Sequence, residues 1–179
     1  MNYRDKMGRF KFWVTKASRY MPPTDKEVAA VERRFGHSFP DSYKAFVKEF
    51  GCIALEGSVG LALSGSLASE SIEIFFGISY GHIYDLSGIL DRYAGRLPEP
   101  LLPIAQDAFG NLVCIAVYGR HEGHVFFWNH DGERIPHHGG PIPWENVTLV
   151  ADDFDQFIDS LVIRGNPGDC STQRSEQMP

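Results

Sequence analysis

The chain has 179 residues, the length of one ordinary domain, and its 43% hydrophobic and 22% charged residues exclude disorder of the whole chain. No apolar run approaches the roughly 18 residues that a membrane-spanning helix needs, and residues 1–16 lack the apolar stretch of a secretion signal. The net charge is −6, and we predict an acidic, cytoplasmic protein with no membrane partner.

The N-terminal segment, residues 1–20, is a basic arm with aromatic side chains that we expect to lie on the edge of the domain. Pro22-Pro23 end this arm, and the first helix follows. Thr24 and Glu27 fit a capping box, in which each side chain satisfies a free backbone N–H of the first turn. Gly36 supplies the left-handed residue that ends the helix.

A second helix opens at Pro40, where the missing proline N–H does no harm, and ends at Gly51. The middle of the chain is rich in strands and holds a third helix, which begins after Asp85 and ends at Gly95. Short apolar or alternating runs, separated by turn residues, predict strands at 53–55, 59–63, 72–78, 101–105, 112–118, 125–128 and 147–151.

The last helix is predicted after Asp152 and Asp153, where apolar residues at 154, 157, 158, 161 and 162 form a core-facing stripe. Because strands adjoin strands, we predict an α+β fold: a mainly antiparallel β-sheet with the helices packed on one face. A single domain is expected at 1–163, followed by a disordered tail at 164–179.

The sequence offers no catalytic motif. Three widely spaced cysteines form no C-x-x-C pair, so neither a disulfide framework nor a zinc finger is expected. His124 and His130 share a strand face but would lie about 20 Å apart, too far for one metal ion. Ser64 and Ser66 lack the G-x-S-x-G elbow of hydrolases. We predict no enzyme, no cofactor and no metal site. The rival class is a hydrolase or a metal-dependent enzyme, because of the seven histidines and the many carboxylates.

The charges are unevenly spread. Residues 1–22 carry a net +5, whereas residues 97–163 carry ten acids and two arginines, a net −8. This acidic half disfavours direct nucleic-acid binding, because nothing there would neutralise phosphates. It favours a basic protein partner, which opposite charge would capture faster. The alternative is that the acids only keep the protein soluble.

Six segments, taken in their order along the chain, resemble one known family. They are VERRFG, FPDSYKAFVKEFG, GHIYDLSGILDRY, LLPIAQDAFGNLVCIAV, GHVFFWNHDGE and FDQFIDSLV. Together they are similar to the SUKH superfamily, which includes the Smi/Knr-type regulators of fungal cell-wall synthesis. Phe39 stands where this family usually has Leu, and the proline-rich loop 134–145 is unusually long.

The resemblance implies an antiparallel sheet with flanking helices and no catalytic centre. Most bacterial members are implicated as immunity proteins, each of which neutralises a cognate toxin of a polymorphic toxin system, often a nuclease. The eukaryotic branch instead acts as regulatory protein-binding scaffolds, which is the alternative function.

Loop residues of the acidic half are the candidates for contact with such a toxin. Four acids look exposed in the sequence, Glu122, Asp131, Glu133 and Glu145, and Trp144 is a candidate aromatic anchor. Two other residues in this half, Asp107 and Asn111, are expected to brace a hairpin loop instead.

Overall fold

The computed structural model describes residues 2–14, 22–61, 70–78, 83–136 and 139–164. Within these ranges the helices are α1 (Tyr3–Met7), α2 (Asp25–Phe35), α3 (Asp41–Phe50), α4 (Leu86–Arg92) and α5 (Phe154–Ser160). The strands are β1 (Phe12–Val14), β2 (Ile53–Leu61), β3 (Ser71–Phe75), β4 (Leu101–Gln106), β5 (Leu112–Ala116), β6 (Val125–Trp128), β7 (Val147–Ala151) and β8 (Leu161–Ile163).

The strands form one sheet in the order β1-β2-β3-β4-β5-β6-β7, with β8 also paired to β2. All the pairings between these strands are antiparallel. The predicted α+β class with a mainly antiparallel sheet is therefore confirmed. β1 pairs with residues 53–55 of β2, and β8 pairs with residues 59–61. Since β3 occupies the other side of β2, β1 and β8 lie end to end along one side.

The helix boundaries follow the local sequence. Thr24 and Glu27 form the predicted capping box at the start of α2, and Gly36 ends that helix with a φ of 94°. The side chains of Asp85 and Asp153 accept backbone N–H groups at the starts of α4 and α5. These predicted caps are confirmed, because they depend only on residues within one turn of the helix.

One face of the sheet is covered by α1, α3 and α5. Phe75 of β3 lies 5.0 Å from the ring of Phe46 in α3 and 6.1 Å from Phe157 in α5. Tyr3 of α1 packs edge-to-face on Phe46, with the ring centroids 5.6 Å apart. Aromatic side chains therefore join three helices to the sheet in a single core.

The helix α4 lies against the opposite face. The register places Phe127 on the same face as Phe75, so the next residue, Trp128, points the other way. Trp128 contacts Tyr93, the residue that ends α4, with ring centroids 6.0 Å apart. The expectation of helices on one face thus describes α1, α3 and α5, while α4 departs from it.

One strand prediction and one helix prediction are corrected by long-range pairing. The runs 53–55 and 59–63 were expected as separate strands, but β2 is continuous over Ile53–Leu61, with a register shift between Ala54 and Val59. Residues 161 and 162 were expected in the last helix, but they belong to β8. Residues 59–61 of β2 have backbone N–H and C=O groups on the side that β1 does not reach. Residues 161–163 pair with these groups as a strand, which a further turn of helix would leave without partners.

The N-terminal arm and the first residue of the predicted tail are both part of the fold. The arm forms α1 and β1, and its Tyr3, Met7 and Phe10 are buried. Arg164 was expected to begin the tail, but its backbone N–H donates to the Ser58 carbonyl at 2.8 Å. The rest of the predicted tail lies outside the described residues.

Candidate functional site

The basic arm is bound to the acidic half of the same chain. Lys6 Nζ lies 2.6 Å from the carboxylate of Asp159, and the Tyr3 hydroxyl donates to Asp155 at 2.7 Å. Arg9 donates to the carbonyl of Ile158, near the C-terminal end of α5, at 2.7 Å. The arm therefore already neutralises part of the negative charge that the sequence suggested for a partner.

Other acids of this half have structural roles. The buried Asp107 accepts the backbone N–H groups of Phe109 and Asn111, at 2.8 and 2.9 Å, and the side-chain amide of Asn111 at 2.7 Å. Asn111 in turn accepts the N–H of His130, which ties the loop to the end of β6. The prediction that Asp107 and Asn111 brace the hairpin is confirmed.

Glu133 is not the exposed loop acid that the sequence suggested. Its two carboxylate oxygens each accept a hydrogen bond of 2.7 Å from the guanidinium of Arg96, and its side chain is only 14% exposed. Hydrogen bonding to Arg96 holds the pKa of Glu133 below its usual value. Arg96 also lies over the ring of Tyr93, at 4.9 Å. Glu133 therefore fastens the loop after β6 to the end of α4.

We expect Arg96→Ala to lower the free energy of unfolding at neutral pH by about 1–3 kcal/mol, because it leaves the Glu133 carboxylate unpaired. The pKa of Glu133 is lowered in the folded state. The pair therefore stabilises the folded state fully at a pH above the ordinary pKa of Glu, about 4.3, and this stabilisation is lost as the pH falls through the lowered pKa. Urea unfolding at neutral pH and near pH 3 measures both effects. The exposed Arg134→Ala is the control, expected within about 0.5 kcal/mol of the parent. An equal cost for Arg96→Ala at both pH values would contradict this role.

The remaining candidate acids are exposed, and the structure brings two of them together. Asp131 and Glu145 line a shallow hollow of about 240 Å³ beside Glu133. Glu122 lies before β6, at the opposite end of that strand, and is also exposed. Among the described residues, Asp131, Glu145 and Glu122 form no ion pair, so their charges remain available at the surface.

Trp144 is half-buried and serves the fold at least in part. Its ring packs edge-to-face on Phe126, with centroids 5.4 Å apart, and lies 5.8 Å from the ring of His121. Phe126 and Trp128 are buried. The exposed part of Trp144 lies next to Glu145 in the chain, at the approach to β7.

The exposure of β7 itself was not predicted from the sequence. Thr148 and Leu149 are adjacent, so they point to opposite faces of the sheet, yet both are exposed. Leu149 is 48% exposed, and Asp152, just after the strand, is also exposed. An alternating V-T-L-V-A run normally predicts one buried face. The only sequence signal for this exposure is the pair of acids that bracket the run.

A hollow of about 490 Å³ lies between α4 and β4. Its polar lining is paired within the protein: Arg34 binds Asp91, the hydroxyl of Tyr118 donates to Glu99 at 2.9 Å, and the Tyr118 ring stacks on His37. These contacts join the elements on the two sides of the hollow.

The described residues contain no group of three or more His, Cys, Asp and Glu side chains that could hold a metal ion. His82, His137 and His138 lie outside them. Cys52 and Cys114 are buried, and burial raises the pKa of the Cys114 thiol. In the described parts of the chain, no helix combines the length and apolar character needed to cross a membrane.

Comparison with known proteins agrees with the fold. A sequence model of the SMI1/KNR4 family (SUKH-1) matches residues 22–160. The chain is also similar to the uncharacterised protein YokK, derived from the SPbeta prophage of Bacillus subtilis (strain 168), with 26% identity over 171 residues that cover 86% of this chain and 83% of YokK. The family match spans every described element from α2 to α5. The chain therefore belongs to the SMI1/KNR4 family (SUKH-1).

Proposed function

We propose that this protein is a cytoplasmic, non-enzymatic immunity protein that binds and neutralises a cognate bacterial polymorphic toxin. Family membership is the observation that carries the proposal, because bacterial proteins of the SUKH type are commonly toxin immunity proteins. The prophage origin of YokK also supports it, since mobile elements are a common setting for genes that protect their host.

The partner is a basic protein, with a nuclease as the favoured class. Asp159 and Glu133 are paired with the arm and with Arg96. Three other acids are exposed and form no ion pair among the described residues: Glu122, Asp131 and Glu145. A nuclease needs positive charge to bind phosphates, so its surface complements such acids. The protein itself binds no nucleic acid in this proposal.

Co-expression with the toxin encoded beside its gene tests the proposal. We expect growth to be rescued and the two proteins to co-purify in equal amounts, because inhibition by binding is stoichiometric. The toxin with an inactivated catalytic residue should still be bound, and this variant permits purification without rescue. Rescue without any physical association would contradict neutralisation by binding. Capture of several housekeeping proteins, with no toxin bound, would favour a regulatory scaffold of the Smi/Knr type.

A further inference from the structure

β7 forms one edge of the sheet, and its outer side is open among the residues that the structure describes. The Asn129 N–H donates to the Asn146 carbonyl at 2.9 Å, so Asn146 faces β6. Hydrogen bonding alternates along an antiparallel strand, and the register from Val147 to Leu149 is regular. The N–H and C=O of Leu149 therefore point away from β6.

As far as Leu149, this edge lacks the usual protection against strand addition. Natural sheets guard an edge strand with Pro, Lys, a bulge or a covering element. Val147–Ala151 contains neither Pro nor Lys, and its register shift comes only after Leu149. The exposed side chains of Thr148 and Leu149 extend on the two faces of the sheet, where a further strand would cover them.

Acidic residues stand at both ends of the edge. Glu145 precedes β7 and shares a hollow with Asp131, while Asp152 follows the strand; all three are exposed. Pairing with the β7 of a second copy would bring like charges together, which is unfavourable. An extended segment with Lys or Arg at its ends would instead meet opposite charge at both ends.

We propose that β7 accepts an extended, basic segment of the partner protein as an additional strand of the sheet. The inference rests on the proposed function, because it assigns the binding surface of the same partner. Backbone hydrogen bonds to Leu149 supply affinity, and the acids around β7 select for positive charge. The five residues of β7 give a contact about 17 Å long.

A synthetic peptide tests strand addition at β7 without the toxin. The probe is a capped peptide of about eight residues, long enough to span β7, with alternating Lys and Val. In the free protein we expect fast exchange of the Leu149 amide proton with solvent. A saturating peptide should slow that exchange at least about tenfold, whereas the same peptide with Glu in place of Lys should not. A Leu149 amide already protected in the free protein would mean that this chain or a second copy covers the edge, and would overturn the proposal.

Two substitutions at one position distinguish backbone pairing from side-chain contact. Leu149→Pro removes the outward N–H and is compatible with an edge strand, whereas Leu149→Thr keeps that N–H and loses the apolar side chain. We expect Leu149→Pro to weaken binding of the Lys–Val peptide at least about tenfold, and Leu149→Thr less than about threefold. If Leu149→Pro does not fold, the double reversal Glu145→Lys and Asp152→Lys is expected to weaken binding similarly. Equal binding by wild type and a folded Leu149→Pro variant would overturn the proposal.

The same variants in the toxin assay keep the two proposals apart. Slowed Leu149 exchange in the toxin complex, together with lost rescue by Leu149→Pro, supports both. Rescue by wild type with unchanged Leu149 exchange in the complex overturns the edge-strand inference and leaves the immunity function standing. Peptide binding at β7 without rescue by wild type overturns the immunity function and leaves the edge-strand surface standing.

Discussion

Deletion of residues 2–14 is expected to abolish a stable fold, although this segment lies outside the family match at 22–160. Tyr3, Met7 and Phe10 are all buried, and burying each side chain of this size contributes about 1.5–3 kcal/mol. Together they account for about 5–9 kcal/mol, comparable to the about 5–15 kcal/mol of a whole domain. The deletion would also expose residues 53–55 of β2 on the side that β1 covers.

Circular dichroism with urea unfolding measures this effect. We expect the truncated chain to lose its cooperative transition or to show a midpoint near zero urea. Trp13→Ser is the matched control within the same segment, because Trp13 is 61% exposed and its loss should change stability by only about 0.5 kcal/mol. A truncated chain that unfolds cooperatively, with a free energy of unfolding less than about 2 kcal/mol below that of the parent, would show that the arm is not required for the fold.

Reversal of three exposed acids, Glu122→Lys, Asp131→Lys and Glu145→Lys, is expected to slow association with the toxin at least about tenfold. Opposite charge steers partners together before contact, and the range of this effect is about 10–1000-fold in rate. Glu133 is left intact, because its pair with Arg96 belongs to the fold. The dissociation rate should change less than the association rate, since long-range attraction acts before docking.

Stopped-flow association in salt between about 0.1 and about 1 M gives the second measurement, because screening shortens from about 10 Å to about 3 Å over that range. The wild-type association rate should fall steeply with salt, and that of the triple variant only weakly. The control triple Asp5→Lys, Glu56→Lys and Glu73→Lys changes the net charge equally at exposed acids remote in sequence from the acidic half. If both triple variants slowed association equally, net charge rather than this surface would control capture.

Local sequence patterns predicted the elements whose causes are local. The capping box of Thr24 and Glu27 and the left-handed Gly36 act within a few residues, so the sequence contains the whole argument for α2. The predicted end of α5 was wrong because its cause is a long-range contact. Leu161 satisfies a helical apolar stripe and is also buried as a strand residue, and the choice depends on pairing with Leu61, one hundred positions earlier.

The candidate site shows the same limit. Glu133 resembles Asp131 and Glu145 in its sequence surroundings, and only a distant partner, Arg96, distinguishes it. The arm's neutralisation of α5 likewise joins two segments that the charge analysis treated as independent. The sequence shows where the acids stand in the chain, but the fold decides which of them form ion pairs within the protein.

The end-to-end arrangement of β1 and β8 has a practical consequence. It places Arg164, the last described residue, beside β2 on the side away from β3, while β7 forms the far edge of the sheet. The N-terminal end lies elsewhere, because Tyr3 contacts Asp155, which follows β7 closely in the chain. A fluorophore attached at residue 164 would therefore lie at the opposite edge of the sheet from β7, whereas one attached before Tyr3 would lie closer to β7. Immobilisation through residue 164 should therefore leave binding at β7 unchanged, whereas a bulky group placed in the 134–136 loop, which borders the hollow lined by Asp131, is expected to weaken it.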